Sequence, residues 1–297
     1  MRLPIHGIYP AMLTPMHPDE SPNLEAIPIL VEYVLQAGVH GLFVVGTHGE
    51  AYAVTTQERQ AVTAAYVQAV AGRVPVLAGV GAVTTRAALA NLRAAEAAGA
   101  DGVSVVAPYF ISPSQEELYT HFRAIGEATD LPVLLYNLPS RTHTSIAPPT
   151  MARLAEIDNI VGVKDSSGDL NNTIDYLRLT PGDMAVMNGN DGLICAALSA
   201  GAAGAVAATA NIVPGLLVGL YESFRASDLE AAWEAQLRII PLRRCFSLGT
   251  VPDPIKEAAR SIGLPVGPTA RPVGPMSAEA KQRLRQVLRD LGLAAQD

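Results

Sequence analysis

One joint recurs along this chain. Ala37-Gly38-Val39-His40-Gly41-Leu42 is echoed by Ala98-Gly99-Ala100-Asp101-Gly102-Val103 and again by Ala200-Gly201-Ala202-Ala203-Gly204-Ala205. Each copy follows a helical pattern and precedes an apolar run. The first glycine suits a helix C-cap, where φ turns positive and a Cβ is penalised. The second lets the backbone approach a neighbour closely as a strand begins. A helix-to-strand passage built three times to one design means repeated βα units.

Short apolar runs place eight strands, at about 7–13, 40–46, 75–80, 102–107, 132–137, 160–164, 184–188 and 204–208. They read as continuous apolar stretches, as strands covered on both faces do. Helical patterns fill the gaps, at about 24–37, 56–70, 85–98, 115–128, 149–156, 170–179, 191–200 and 213–225, and Thr55-Thr56-Gln57-Glu58 carries a capping-box signature for the second. Eight such units predict an α/β fold, a (β/α)8 TIM barrel over residues 1–225. A doubly wound sheet would not space eight units so evenly. From residue 226 the strands stop, and 228–247, 252–262 and 277–294 read as helices, the last with Ser277 as N-cap. A C-terminal helical extension over 226–297 is expected.

Composition narrows the function. The net charge is −7 with no Lys/Arg block, which argues against a nucleic-acid partner. Cys195 and Cys245 stand outside any CxxC or metal-ligand spacing and suit a reducing compartment. The six histidines show no metal-binding pattern, so no metal is expected. Met1-Arg2-Leu3-Pro4-Ile5 opens no secretory apolar region, and Asn211 and Pro214 break the apolar stretch 193–220. No membrane association is expected, and the location read from the sequence is the cytoplasm.

Only three lysines stand against 18 arginines. Lys164 closes the run Asn159-Ile160-Val161-Gly162-Val163, at the carboxyl end of the sixth strand, where barrel enzymes keep their chemistry. A lysine in apolar surroundings tends toward the neutral amine, which attacks carbonyls to form a Schiff base; arginine cannot. The plain alternative is a strand-end lysine reaching solvent. Lys256 and Lys281 lie in helical patterns. Two more strand ends open into the same mouth: Gly46-Thr47-His48-Gly49-Glu50 and Tyr136-Asn137-Leu138-Pro139-Ser140-Arg141-Thr142. Tyr136, backed by the Thr47 hydroxyl, can relay protons; equally, it can plug the barrel core. Backbone N–H groups of the Gly46–Glu50 turn can hold a carboxylate. Arg141 is either a bidentate carboxylate clamp or an ordinary surface ion pair. His48 and His143 are candidates for setting substrate preference. Gly189-Asn190-Asp191-Gly192 reads more readily as a helix cap than as a phosphate loop.

With Gly162-Val163-Lys164-Asp165 and Thr209-Ala210-Asn211 added, the order and spacing of these pieces resemble the dihydrodipicolinate synthase / N-acetylneuraminate lyase family nearly end to end. The resemblance implies a barrel with a helical extension, assembled as a homotetramer from dimers. It also implies class I aldolase chemistry with no cofactor beyond a covalent imine. Lys164 would be the Schiff-base nucleophile and Tyr136 the proton relay. Thr47 would bridge Tyr136 and the pyruvate carboxylate, helped by Gly46 and the backbone at His48. Val206 matches the position whose carbonyl faces the pyruvate methyl. Two departures stand out. His48 replaces a Thr, Ser or Asn, and in Ala107-Pro108-Tyr109-Phe110 a phenylalanine replaces the tyrosine that reaches a neighbouring subunit's site. Phe110 cannot pass a proton, which tells against 4-hydroxy-tetrahydrodipicolinate synthase activity; Arg141 matches an arginine that binds the carboxylate of aspartate semialdehyde and tells for it.

The expectation is a pyruvate-dependent carbon–carbon lyase or synthase acting with an aldehyde or a 2-oxo acid. The rivals are 4-hydroxy-tetrahydrodipicolinate synthase proper, a 2-oxo-3-deoxy sugar-acid dehydratase in which the same imine expels a 4-hydroxyl, and a non-catalytic pyruvate sensor on the same fold.

Overall fold

The computed structural model describes residues 5–293. Met1–Pro4, and Ala294 at the end of the last expected helix, lie outside the described residues. Eight parallel strands form the centre: β1 (Gly7–Pro10), β2 (Leu42–Val44), β3 (Val76–Gly79), β4 (Gly102–Val106), β5 (Val133–Asn137), β6 (Ile160–Asp165), β7 (Ala185–Asn188) and β8 (Gly204–Ala207). Hydrogen-bonded neighbours run β1-β8-β7-β6-β5-β4-β3-β2. The ring closes between β1 and β2 through a parallel bridge from Ala11 to Phe43, where Met12 N donates to Phe43 O at 2.8 Å. This is a (β/α)8 barrel, and closure rules out the doubly wound alternative.

The helices of the barrel are α1 (Ile27–Leu35), α2 (Thr56–Val70), α3 (Thr85–Ala97), α4 (Gln115–Gly126), α5 (Pro139–Thr142), α6 (Pro148–Leu154), α7 (Leu170–Leu179), α8 (Ile194–Ala200) and α9 (Pro214–Arg225). The capping box at α2 forms in full: Glu58 N donates to Thr55 Oγ1, and Thr55 N to the Glu58 carboxylate at 2.8 Å. Ser114 and Glu117 build a second one at α4. The recurrent joint works as its residues require. Gly201 ends α8 at φ 111°, and a Cβ on Gly204 would lie 2.1 Å from the Gly7 carbonyl oxygen.

Departures from the expected elements are local. The ranges about 24–37 and 191–200 begin as single 3-10 turns capped by the side chains of Asn23 and Asn190. The short helix α5 lies where the sequence promised only a loop; Pro139 at its start supplies the fixed φ of a first turn. Strand β2 stops at Val44 because Val45 turns left-handed, at φ 50°.

Two apolar layers result. The larger packs the strands' outer faces against the helices. The smaller fills the barrel with Tyr9, Phe43, Leu77, Leu134, Tyr136, Met187 and Val206. Three further helices follow: α10 (Leu229–Cys245), α11 (Asp253–Ser261) and α12 (Ala278–Asp290). Helix α10 lies along α9 and accepts the Cys195 N–H on Gln236 Oε1 at 2.9 Å, while Gln236 Nε2 donates to Asp191 O at 2.9 Å. A fully buried ion pair joins Lys256 of α11 to Glu50, at the end of the turn that follows β2. Lys256 also donates to Pro268 O at 2.6 Å, and Glu50 accepts Ala270 N at 2.8 Å. The extension is thus clamped to the mouth of the barrel. Among the described residues no helix is long and apolar enough to cross a membrane.

Candidate active site

Parallel pairing sets Tyr136 of β5 beside Lys164 of β6 and Lys164 beside Met187 of β7. Residues in register share a face of the sheet. With Tyr136 and Met187 in the interior cluster, Lys164 points inward too. It is 4% exposed, which removes the reading of a lysine reaching solvent. Its Nζ lies 3.9 Å from the Tyr136 ring centroid and 4.5 Å from that of Phe43. Among the described residues Lys164 has no ion pair and donates no side-chain hydrogen bond, whereas Lys256 is paired with Glu50 and Lys281 with Glu257 at 3.1 Å. One lysine of the three is therefore free to react. Its room comes from Gly189, where a Cβ would stand 2.9 Å from Lys164 Cε and 1.9 Å from Ser166 Oγ.

The strand ends are fixed by Asp165. Its carboxylate accepts from Asn137 Nδ2 at 3.0 Å, Asn172 Nδ2 at 3.0 Å and Thr173 Oγ1 at 2.8 Å. Asn137 Oδ1 in turn accepts Ile146 N. The residues that follow Tyr136 and Lys164 are thus bonded to each other.

Across the barrel mouth, Thr47 Oγ1 stands 3.4 Å from the Tyr136 hydroxyl. The Thr47 turn is held under strain. Val45 and Glu50 have φ values of 50° and 53°, costly for a β-branched residue above all. Thr14 Oγ1 donates to Gly49 O at 2.7 Å, and the Glu50–Lys256 pair closes the far side. Glu50 N and Ala51 N are spent within the turn, on Thr47 O and Gly46 O. The N–H groups of Thr47 and His48 donate to nothing among the described residues, which leaves them for an anion.

These groups meet in one cleft of about 410 Å³ whose lining includes Thr47, His48, Tyr136, Arg141, Lys164 and Val206. His48 is half-buried, and burial together with Lys164, Arg243 and Arg141 holds its imidazole down to about 3 from the ordinary 6.5. It is a neutral hydrogen-bonding group at physiological pH. Arg141 makes no ion pair among the described residues, so the surface-pair alternative falls away. Gly46 and Tyr109 line a smaller cavity of about 180 Å³, which shares Thr47, Tyr136 and Arg141 with the cleft. Tyr136 is both a member of the barrel's apolar filling and a wall of the two cavities. Phe110 is 93% exposed at φ 73° and lines neither. His143 ends α5 with φ 54° and also lines neither, leaving His48 as the histidine of the site.

Several lining residues were not expected at this site from sequence, Asn190 having been read only as part of a helix cap, which it also is. Ser166, Ser167 and Asn190 come from the ends of β6 and β7; Arg243, Phe246 and Ser247 come from the end of α10. The sequence shows the strand-end positions, so Ser166 and Asn190 could have been found. Nothing local marks Arg243, because its place in the cleft depends on how the extension folds back.

A buried, unpaired lysine beside a tyrosine at a barrel mouth is the equipment of an enzyme that works through a Schiff base, and the relatives of this chain place it among the carbon–carbon lyases and synthases. The model of the dihydrodipicolinate synthetase family matches residues 4–291, and the chain belongs to that family. A 4-hydroxy-tetrahydrodipicolinate synthase from Methanopyrus kandleri is 39% identical over 295 residues, covering 99% of this chain and 98% of that protein. The crystal structure of dihydrodipicolinate synthase from Aquifex aeolicus superposes with a TM-score of 0.95 at 31% identity, covering 99% of this chain and 100% of that one. A prophage protein of the same family from E. coli K12, solved in complex with pyruvate, gives a TM-score of 0.93 at 30% identity over 97% of this chain and 99% of that one.

Proposed function

We propose that this enzyme joins pyruvate to a carbonyl acceptor, or cleaves the resulting 2-oxo acid, through an imine on Lys164. One observation carries the reading: a buried lysine without a counter-ion, in register with a tyrosine whose hydroxyl stands 3.4 Å from a threonine. The Lys164 amine adds to C2 of pyruvate and sheds a proton. Tyr136, its hydroxyl hydrogen-bonded to Thr47, donates a proton to the departing hydroxyl, which leaves as water and yields the iminium. Loss of a C3 proton gives an enamine, and its C3 forms the bond to the acceptor carbonyl. Water then hydrolyses the imine and restores the amine. The N–H groups of Thr47 and His48 hold the pyruvate carboxylate, the Val206 carbonyl faces the methyl, and Arg141 takes a carboxylate of the acceptor.

No external cofactor enters this scheme, since the imine is itself the electron sink. The extension from residue 226 works with the barrel as one catalytic unit, because α10 completes the wall of the cleft. The exposed Phe110 fits a contact between subunits of a homotetramer in the cytoplasm.

A second reading is 4-hydroxy-tetrahydrodipicolinate synthase, with aspartate semialdehyde as acceptor. The unpaired Arg141 and the names of the relatives favour it. Product analysis of pyruvate incubated with a panel of aldehydes decides between them. Condensation by the wild type and none by Lys164→Ala is expected. Turnover retained in Lys164→Ala refutes the proposal.

A further inference from the structure

The cleft holds a second guanidinium that the reaction scheme does not use. Arg243 lies in the last turn of α10, half-buried, with its Cζ 5.8 Å from the Phe246 ring centroid. Phe246 is 5% exposed and packs near His48, 6.4 Å between centroids, so the arginine rests on a fixed platform. Like Arg141, Arg243 has no ion pair among the described residues. The one carboxylate lining the cleft, Asp191, is already engaged by the Ala208 and Thr209 N–H groups at 3.3 and 2.7 Å. A cation in the last turn of a helix can simply complement the helix dipole. Arg244, exposed in the same turn, does that without facing the cleft.

A single acceptor carboxylate is satisfied bidentately by one guanidinium. Two guanidiniums that reach the same cleft from different segments, both left without a counter-charge, call for two. Resting on the pyruvate reading above, we propose that the acceptor is a dicarboxylate: a carbonyl compound with one carboxylate on Arg141 and a second on Arg243. Arg243 is then a specificity-determining residue contributed by the extension. Ser166, Ser167 and Asn190 also line the cleft and suit a polar chain linking these ends.

The test titrates succinate and butyrate, equal in length and differing by one carboxylate, calorimetrically into protein saturated with pyruvate. Glycol phosphate serves as a third probe. The expected result is succinate binding more tightly than butyrate by about 10- to 100-fold, the size of a charge-assisted pair. In Arg243→Gln that advantage disappears, while butyrate affinity and the neutral acceptor glyceraldehyde's kcat/KM change far less. Equal binding of succinate and butyrate to the wild type overturns the proposal, as does a succinate advantage that survives Arg243→Gln. Glycol phosphate binding more tightly than succinate assigns the pair to a phosphate and also overturns it. Borohydride trapping of the pyruvate adduct on the same samples isolates the underlying reading: no adduct on Lys164 refutes the imine whatever the titrations show.

Discussion

Gly189→Ala separates chemistry from stability at this site. An added methyl would start 2.9 Å from Lys164 Cε and 1.9 Å from Ser166 Oγ, against ordinary contact at 3.4 Å and beyond. These two are the movable ends of side chains, while Ser166 Cβ, 3.1 Å from the added methyl, must give by a few tenths of an ångström. The Ser166 hydroxyl can swing away, giving up its 3.2 Å bond to the Gly189 carbonyl at a net cost of about 1 kcal/mol. Lys164 must retreat by about 0.5 Å to recover van der Waals contact. It is packed between two aromatic rings, so the shift carries Nζ away from its place beside Tyr136. Misplacing a reacting atom by about 1 Å costs on the order of 100-fold in rate, so half of that predicts roughly a tenfold loss. The assay is single-turnover imine formation with pyruvate, paired with thermal unfolding. The expected variant melts within about 5 °C of the wild type, for a loss of about 1 kcal/mol in a domain this large, and forms the imine about tenfold more slowly. Wild-type imine formation would refute the claim that Gly189 makes room for the reactive lysine.

Three other outcomes follow from the geometry. Lys256→Met strands the Glu50 carboxylate at 0% exposure and should cost about 3–5 kcal/mol in denaturant unfolding, with Glu50→Gln/Lys256→Met recovering most of it; a loss under about 1 kcal/mol would contradict the clamp. Tyr136→Phe should lower kcat by about 10²- to 10⁴-fold while pyruvate still binds, and an unchanged kcat would remove the proton relay. His48 titrates at about 3 in the folded protein against 6.5 ordinarily, so between those values the unfolded chain binds more protons and stability declines as pH falls. His48→Gln should flatten that decline in urea unfolding measured at pH 7, 6 and 5, although His121, lowered to about 4 by burial, keeps part of it.

The eight units were legible because each strand carries its own apolar run and each joint its own glycines. That information is local, and the expected strands appear within a few residues of their places. Strand-end residues were legible for the same reason: once the barrel is granted, Thr47, Tyr136 and Lys164 must face one mouth. Val45 was not, since a left-handed valine is forced by its surroundings and not by its own preference. Glu50–Lys256 and Arg243 were not either. Both depend on the extension returning to the barrel mouth, a contact between segments some 200 residues apart. The sequence places Lys256 in a helical pattern and says nothing of its partner; it is wholly buried.

The central claim is that Lys164 carries the pyruvate imine. Borohydride reduction with and without pyruvate, followed by peptide mapping by mass spectrometry, tests it in one experiment. A pyruvate-dependent adduct confined to Lys164 is the predicted result. No adduct, or an adduct on Lys256 or Lys281, would contradict the account.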